Sequence, residues 1–258
     1  MRWYLTAALL LGMGAQSAAA ADLKPATVAA FDRYIRQTEQ RLGARKTFLW
    51  ADESPARARR VRQGEVVVEP AGGKALTEVT GGLIHDWVGA VFIPGATLAV
   101  TLEHVEDYDH ARTLHREVLD SHILAHNGND YRVYMRLVKK KVITVVLNTE
   151  HDIHYFPIDA THCRSQSRTV RIAELDNPGT PDERELPPGT GHGFLWRLDT
   201  YWRFQERDGG TWMECQAISL TRDIPAGLGW LIEPIIRGLP RESLENTLRE
   251  TAAAFAGK

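Results

Sequence analysis

The chain has 258 residues, 43% of them hydrophobic, enough for a proper core in one large domain or two small ones. A formal charge of −2 without a basic domain argues against nucleic acid as a partner. Cys163 and Cys215 are the only thiols.

Arg2 is followed by an apolar run, Trp3 to Gly14, and by small residues ending at Ala18 to Ala21. That layout predicts a secretory signal peptide over residues 1–21, too short to cross a bilayer, and a mature soluble chain that is periplasmic or secreted. Residues 22–75 read as an N-terminal helical extension. Pro25 opens a helix with Val28, Phe31, Ile35 and Leu42 on one stripe, closed by Gly43. A short helix follows from Ser54 to Gly64; its Arg57, Arg59, Arg60 and Arg62 predict a solvated face, with docking on anionic lipid as the sharper alternative.

A larger unit is expected over residues 76–256. It begins with a β-rich run from Leu76 to Pro94, then a helical stretch over "ATLAVTLEHVEDYDHARTLHREV". Strands are predicted over 119–126, 131–138, 142–153, 163–175, 194–205 and 211–222, and the Pro-rich loop 176–193 reads as a lid or binding edge. The end is helical, with Leu244, Leu248, Thr251 and Phe255 on one stripe and Pro234 and Pro240 expected to kink or divide it.

The stretch "GFLWRLDTYWRFQERDGG" concentrates aromatic rings. Strand alternation puts Phe194, Trp196, Leu198, Thr200, Trp202 and Phe204 on one face. A two-residue turn at Asp208-Gly209 then opposes Phe204 to Met213, Trp202 to Cys215, Thr200 to Ala217, Leu198 to Ser219 and Trp196 to Thr221, with an outer ion pair between Arg203 and Glu214. Large rings against small partners describe either an interdigitated core or a cavity wall.

The strand ending "VFIPGATL", the helix in "VEDYDHARTLHREVLDSHIL" and "WMECQAISLTRDIP" before the last helix together resemble the START-like helix-grip (SRPBCC) superfamily. The resemblance implies an α+β fold: a curved antiparallel sheet of about seven strands wrapped around a long C-terminal helix, with an apolar tunnel between. Members bind lipids, sterols, isoprenoids or polyketides, and a minority are cyclases or aromatases. The implied strand order separates Cys163 from Cys215 by one strand, so two free thiols are expected.

Catalytic motifs are lacking. His151, His154 and His162 read as surface histidines because positions three apart on a strand face opposite ways, and His104, His110 and His115 read as part of a solvated acidic helix. No H-E-x-x-H, phosphate loop or nucleophile elbow occurs, so no metal, cofactor or catalytic residue is assigned. Lys139 to Lys141 are expected in a solvated turn; Thr200, Ser219 and Thr221 are candidates for orienting a ligand inside the pocket, and Arg222 either meets a carboxylate head at the mouth or closes the last strand in an ion pair.

The expected function is a periplasmic carrier for a hydrophobic small molecule, with possible transient membrane contact. The expected contacts are Phe194, Trp196, Leu198, Thr200, Trp202, Met213, Ala217, Ser219 and His85, with the loop 176–193 as the way in. The alternatives are a cyclase or aromatase using His85 or Tyr134 as acid or base, and an envelope interaction module with a filled core.

Overall fold

The structure, a computed structural model, describes residues 22–140, 144–224 and 229–255. The expected signal peptide, Lys141 and Ala256 lie outside the described residues. Two helices, α1 (Pro25–Ala44) and α2 (Pro55–Arg62), precede strands β1 (Val67–Pro70), β2 (Leu76–Val79) and β3 (Gly82–Pro94). The predicted first strand is therefore a hairpin, turned at Thr80-Gly81 because Gly81 adopts φ +72°. Short helices α3 (Leu98–Val105) and α4 (Ala111–Leu114) lead into β4 (Val118–Asn127), β5 (Asp130–Lys140), β6 (Thr144–Asp159) and β7 (His162–Asp176). After β8 (Arg184–Glu185) come β9 (Arg197–Arg207), β10 (Gly210–Arg222) and α5 (Gly229–Ala253). Lys139 and Lys140 close β5 rather than forming a turn.

The strands form one antiparallel sheet in the order β1-β3-β10-β9-β7-β6-β5-β4, with β2 on β3 and β8 on β7. The expected long strands are present, and β1, β2 and β8 are short additions. Strands β3 and β5 stand five places apart, about 24 Å in a flat sheet. Yet Val91 and Ile93 of β3, Val133 of β5 and Leu244 and Leu248 of α5 share one core cluster. The sheet therefore curls around α5, the expected helix-grip arrangement. Leu244, Leu248 and Thr251 are buried, and α5 runs past Pro234 and Pro240 as one element.

The β9–β10 hairpin keeps the predicted register: Phe204 faces Met213, Trp202 Cys215, Thr200 Ala217 and Leu198 Ser219. Asp208 and Gly209 both have positive φ, 57° and 76°, the backbone a twisted two-residue turn demands. Two expectations fail there. The ladder ends at Arg197 opposite Leu220, and Trp196 packs on the other face with Phe31, Ile84 and Ile218 instead of facing Thr221. Gly193, at φ +70°, brings the chain so close that a Cβ would lie 3.0 Å from the Trp196 ring. Strand alternation thus begins at Arg197.

The second failure is the Arg203–Glu214 ion pair. The two residues are opposite, but Arg203 donates to the carbonyls of Leu42 and Phe48, while Glu214 accepts from Arg45 at 2.7 Å and from the Trp50 amide. Glu214 is 2% exposed, and burial raises its pKa. This group belongs to the outer face, where residues 22–75 pack. Phe31 and Ile35 of α1 cover Ile84, Ile218 and Leu220, and Leu49, Trp50 and Val61 cover Val88, Ala90, Phe92 and Trp212. Three of the four arginines of α2 are engaged: Arg57 lies over Trp50 at 3.7 Å, Arg62 lies over Phe92 at 4.3 Å, and Arg60 pairs with Glu65, while Arg59 is exposed.

Removing Glu214 leaves the Arg45 guanidinium and the Trp50 amide without their shared carboxylate. Glu214→Ala is expected to cost about 3–5 kcal/mol in urea unfolding, and a loss below about 1 kcal/mol would contradict this account. Asp199, under α1, is 6% exposed; burial pushes its pKa up to about 7 against the pull of Arg168. Because the folded value lies above an unfolded value near 4, its protonated form favours folding below about pH 4, and that contribution is lost as the pH rises through about 7. Asp199→Asn is therefore expected to gain stability over the parent between pH 4 and 8, by on the order of 2 kcal/mol; a pH-independent difference would refute the assignment.

Candidate functional site

Where α5 leaves the sheet, a cavity of about 310 Å³ lies between the inner face of β5, β6, β7, β9 and β10, the short helices α3 and α4, and α5. Backbone geometry sets the division. Gly89 of β3 lets Leu248 approach so closely that a Cβ there would stand 2.6 Å from its Cδ1. α5 is thus pressed onto β3, and space remains over β9 and its neighbours.

Phe194, Leu198, Thr200, Trp202, Ala217 and Ser219 line this cavity. The other expected contacts do not. Trp196 is on the opposite face, for the reason given above. Met213 is buried in the closed core, where Phe204, Leu244 and Leu248 fill the space. His85 shares the inner face with Ser219 but is closed off by its neighbours; it is 1% exposed and bonds Thr221 Oγ1 at 3.0 Å. Burial, aided by the Arg237 charge, takes its pKa down to about 4.

Several lining residues were read as something else. His104 and His115, expected on a solvated helix, border the cavity, and so does His151, expected at the surface. From Leu147 onward the buried residues of β6 are Leu147, Thr149, His151, Ile153 and Tyr155, and Asn148, Glu150, Asp152 and His154 alternate with them; before that, Val145 and Val146 are both buried. That period of two is legible in the sequence, and inspection of the histidines for metal spacing alone passes over it. His154 does face away from His151, and pairs with Asp130 at 2.6 Å. Among the described residues, no group of three or more His, Cys, Asp or Glu is gathered as for a metal ion.

The polar groups in the wall fall into separate places. Tyr108 and Tyr155 join their hydroxyls at 2.7 Å, and burial raises both pKa values. His151 Nε2 meets Thr149 Oγ1 at 2.9 Å, and burial takes the His151 pKa down to about 4. Between α4–β4 and α5 runs a charged seam: Arg116 pairs with Glu250 at 2.6 Å, His115 lies 3.5 Å from Glu250, and Lys139 reaches Glu117 and Ser243. Burial draws the His115 pKa down. Tyr134 lies outside the cavity and donates to Asn148. Cys215 lines the cavity, Cys163 does not, and both thiols are free. Burial raises the pKa of each, Cys163 to about 11.

The loop 176–193 contributes no lining residue and is held away from the cavity. Glu183 takes a bidentate bond from Arg136, Glu185 pairs with Arg171, and His192 bonds buried Glu174. Only Phe194 and Leu195, just after it, reach the cavity.

The sheet order and the α5 grip define the architecture. The chain has the START-like helix-grip fold. Among solved structures it is similar to a STAR-related lipid transfer protein fragment from Xanthomonas axonopodis, at 14% identity and a TM-score of 0.49, over 71% of this chain and 99% of that one. It is also similar to human STARD10, at 11% identity and a TM-score of 0.46, over 79% of this chain and 81% of that one. A third is the di-domain ARO/CYC StfQ of the steffimycin biosynthetic pathway, at 14% identity and a TM-score of 0.44, over 88% of this chain and 60% of that one. No protein-family model and no curated protein matches the chain.

The Tyr108–Tyr155 contact is open to a double-mutant cycle. Each Phe substitution leaves one buried phenol unpaired and is expected to cost about 1–2 kcal/mol, with the double variant costing less than the sum. Strict additivity would show that the two hydroxyls do not interact.

Proposed function

We propose that the protein binds a hydrophobic small molecule in the cavity under α5 and carries or sequesters it, in the periplasm after loss of the segment 1–21. The observation that carries this reading is the cavity itself: about 310 Å³ walled largely by Val118, Leu137, Leu147, Phe194, Leu198 and Trp202. That size and lining suit an apolar ligand of modest length. The mouth is taken to be the seam between α4–β4 and α5, where side-chain bridges span a gap that backbone packing leaves. Leu119 and Leu124, exposed on edge strand β4, offer an apolar contact for a transient visit to a membrane.

The other two readings find less support. The buried titratable groups fall in two places: Tyr108 and Tyr155 meet at 2.7 Å, and His151 sits four residues from Tyr155 on β6, about 13 Å along the strand, so the imidazole and the phenol pair do not share one reacting atom. An interaction module with a filled core is opposed by the cavity, and the exposed large apolar residues described lie outside 22–75.

Native mass spectrometry and solvent extraction of the protein purified from its own source are expected to show an apolar molecule bound. Ala217→Trp, which places an indole in the cavity, is expected to lose that molecule while melting within a few degrees of the parent. Recovery of no apolar molecule, with none taken up from a lipid panel, would overturn the reading.

A further inference from the structure

We propose that the ligand carries a hydrogen-bond donor, a hydroxyl or an N–H, seated against Nδ1 of His151. The inference rests on the proposed binding role of the cavity and narrows its ligand to a class: an apolar body with a neutral donor group, such as a long-chain alcohol or a phenol.

The proton of one hydroxyl fixes the tautomer. Thr149 Oγ1 donates to the carbonyl of Met135 at 2.9 Å. A hydroxyl has a single proton, so toward His151 Nε2, 2.9 Å away, the same oxygen acts as acceptor. Nε2 therefore carries the ring proton, and Nδ1 holds a lone pair. Burial keeps the imidazole neutral, its pKa taken down to about 4. His151 is 6% exposed, its ring lines the cavity, and Nδ1 has no hydrogen-bond partner among the described residues. A ligand that fills the cavity displaces water from this acceptor, so a ligand that supplies a donor there gains over one that does not.

The surroundings sharpen the choice. Along β6 the inward neighbours of Thr149 and His151 are Leu147 and Ile153. The register partners of His151 are Val133, which is apolar, and Thr169, whose hydroxyl oxygen already accepts from the Leu198 amide. No cation faces Nδ1 from these positions. A carboxylate head, which is charged and has no donor, is therefore disfavoured there, whereas a hydroxyl satisfies the lone pair without bringing a charge into an apolar wall.

Displacement of an environment-sensitive dye from the full protein by dodecanol, its methyl ether and dodecanoate tests this. The parent is expected to prefer the alcohol to the ether by about tenfold, and to the carboxylate by at least as much. In His151→Phe the alcohol and the ether are expected to bind alike. Equal binding of alcohol and ether by the parent overturns the donor assignment and leaves the carrier reading standing; binding of none of the three overturns both. Long-range proton–nitrogen correlation spectra of histidine-labelled parent protein give an independent check. They are expected to show the Nε2–H tautomer, with the Nδ1 resonance shifting on addition of the alcohol and unmoved by the ether. An Nδ1–H tautomer in the free protein would overturn the proposal whatever the variant does.

Discussion

Leu248 of α5 seats on Gly89 of β3, at a point where any side chain on the strand would collide with it. Much of the molecule depends on that contact. The sheet must bury one apolar face against one helix, and a helix is too narrow to cover strands from β3 to β5 at once. Curling brings the far strands round, and the closed core of Phe204, Met213, Leu244 and Leu248 fills one part of the interior. Over the inner face of β9 and β7 the helix stands off. A gap of about 310 Å³ is the geometric consequence, and its walls are the side chains that alternation turns inward.

The outer face shows why β3 and β10 hold this shape. Residues of 22–75 cover those strands, so both are buried on both sides, and Glu214, Arg45 and Arg203 tie the extension to the sheet through buried polar contacts. Strands β5 and β6 lack such a cover and carry a polar outer row, Asn148, Glu150, Asp152 and His154 in β6. The doubly covered strands thus include β3, on which α5 is anchored, and the cavity reaches from β9 and β10, which the extension covers, to β5 and β6, which it does not.

The same contrast explains what could be read in the sequence. The β9–β10 register was legible because Asp208-Gly209 permits one twisted turn and alternation does the rest. The alternation of β6 was equally available, and it puts His151 among Val145, Leu147 and Ile153. In β3 the run "LIHDWVGAVFI" carries no alternation because both its faces are buried, so the side taken by His85 had to come from the fold. Trp196 differs for another reason: alternation is read from Phe194 onward, but the chain bends at Phe194 and Trp196 and the ladder begins only at Arg197. The anchoring of the 176–193 loop depends on Arg136, which is distant in sequence, and on Arg171 and Glu174 of the preceding strand, and no periodic pattern announces these pairings.

Alternation also supplies the most direct test. Ala217 and Ile218 are neighbours in the chain, yet the first lines the cavity and the second is packed beneath α1. Isotope-filtered NOE spectroscopy of an unlabelled long-chain alcohol bound to labelled protein is expected to show contacts from the chain protons to the Ala217 methyl group and none to Ile218. Contacts at Ile218, or at neither residue while the alcohol is bound, would contradict the claim that the space between β9 and α5 is the binding site.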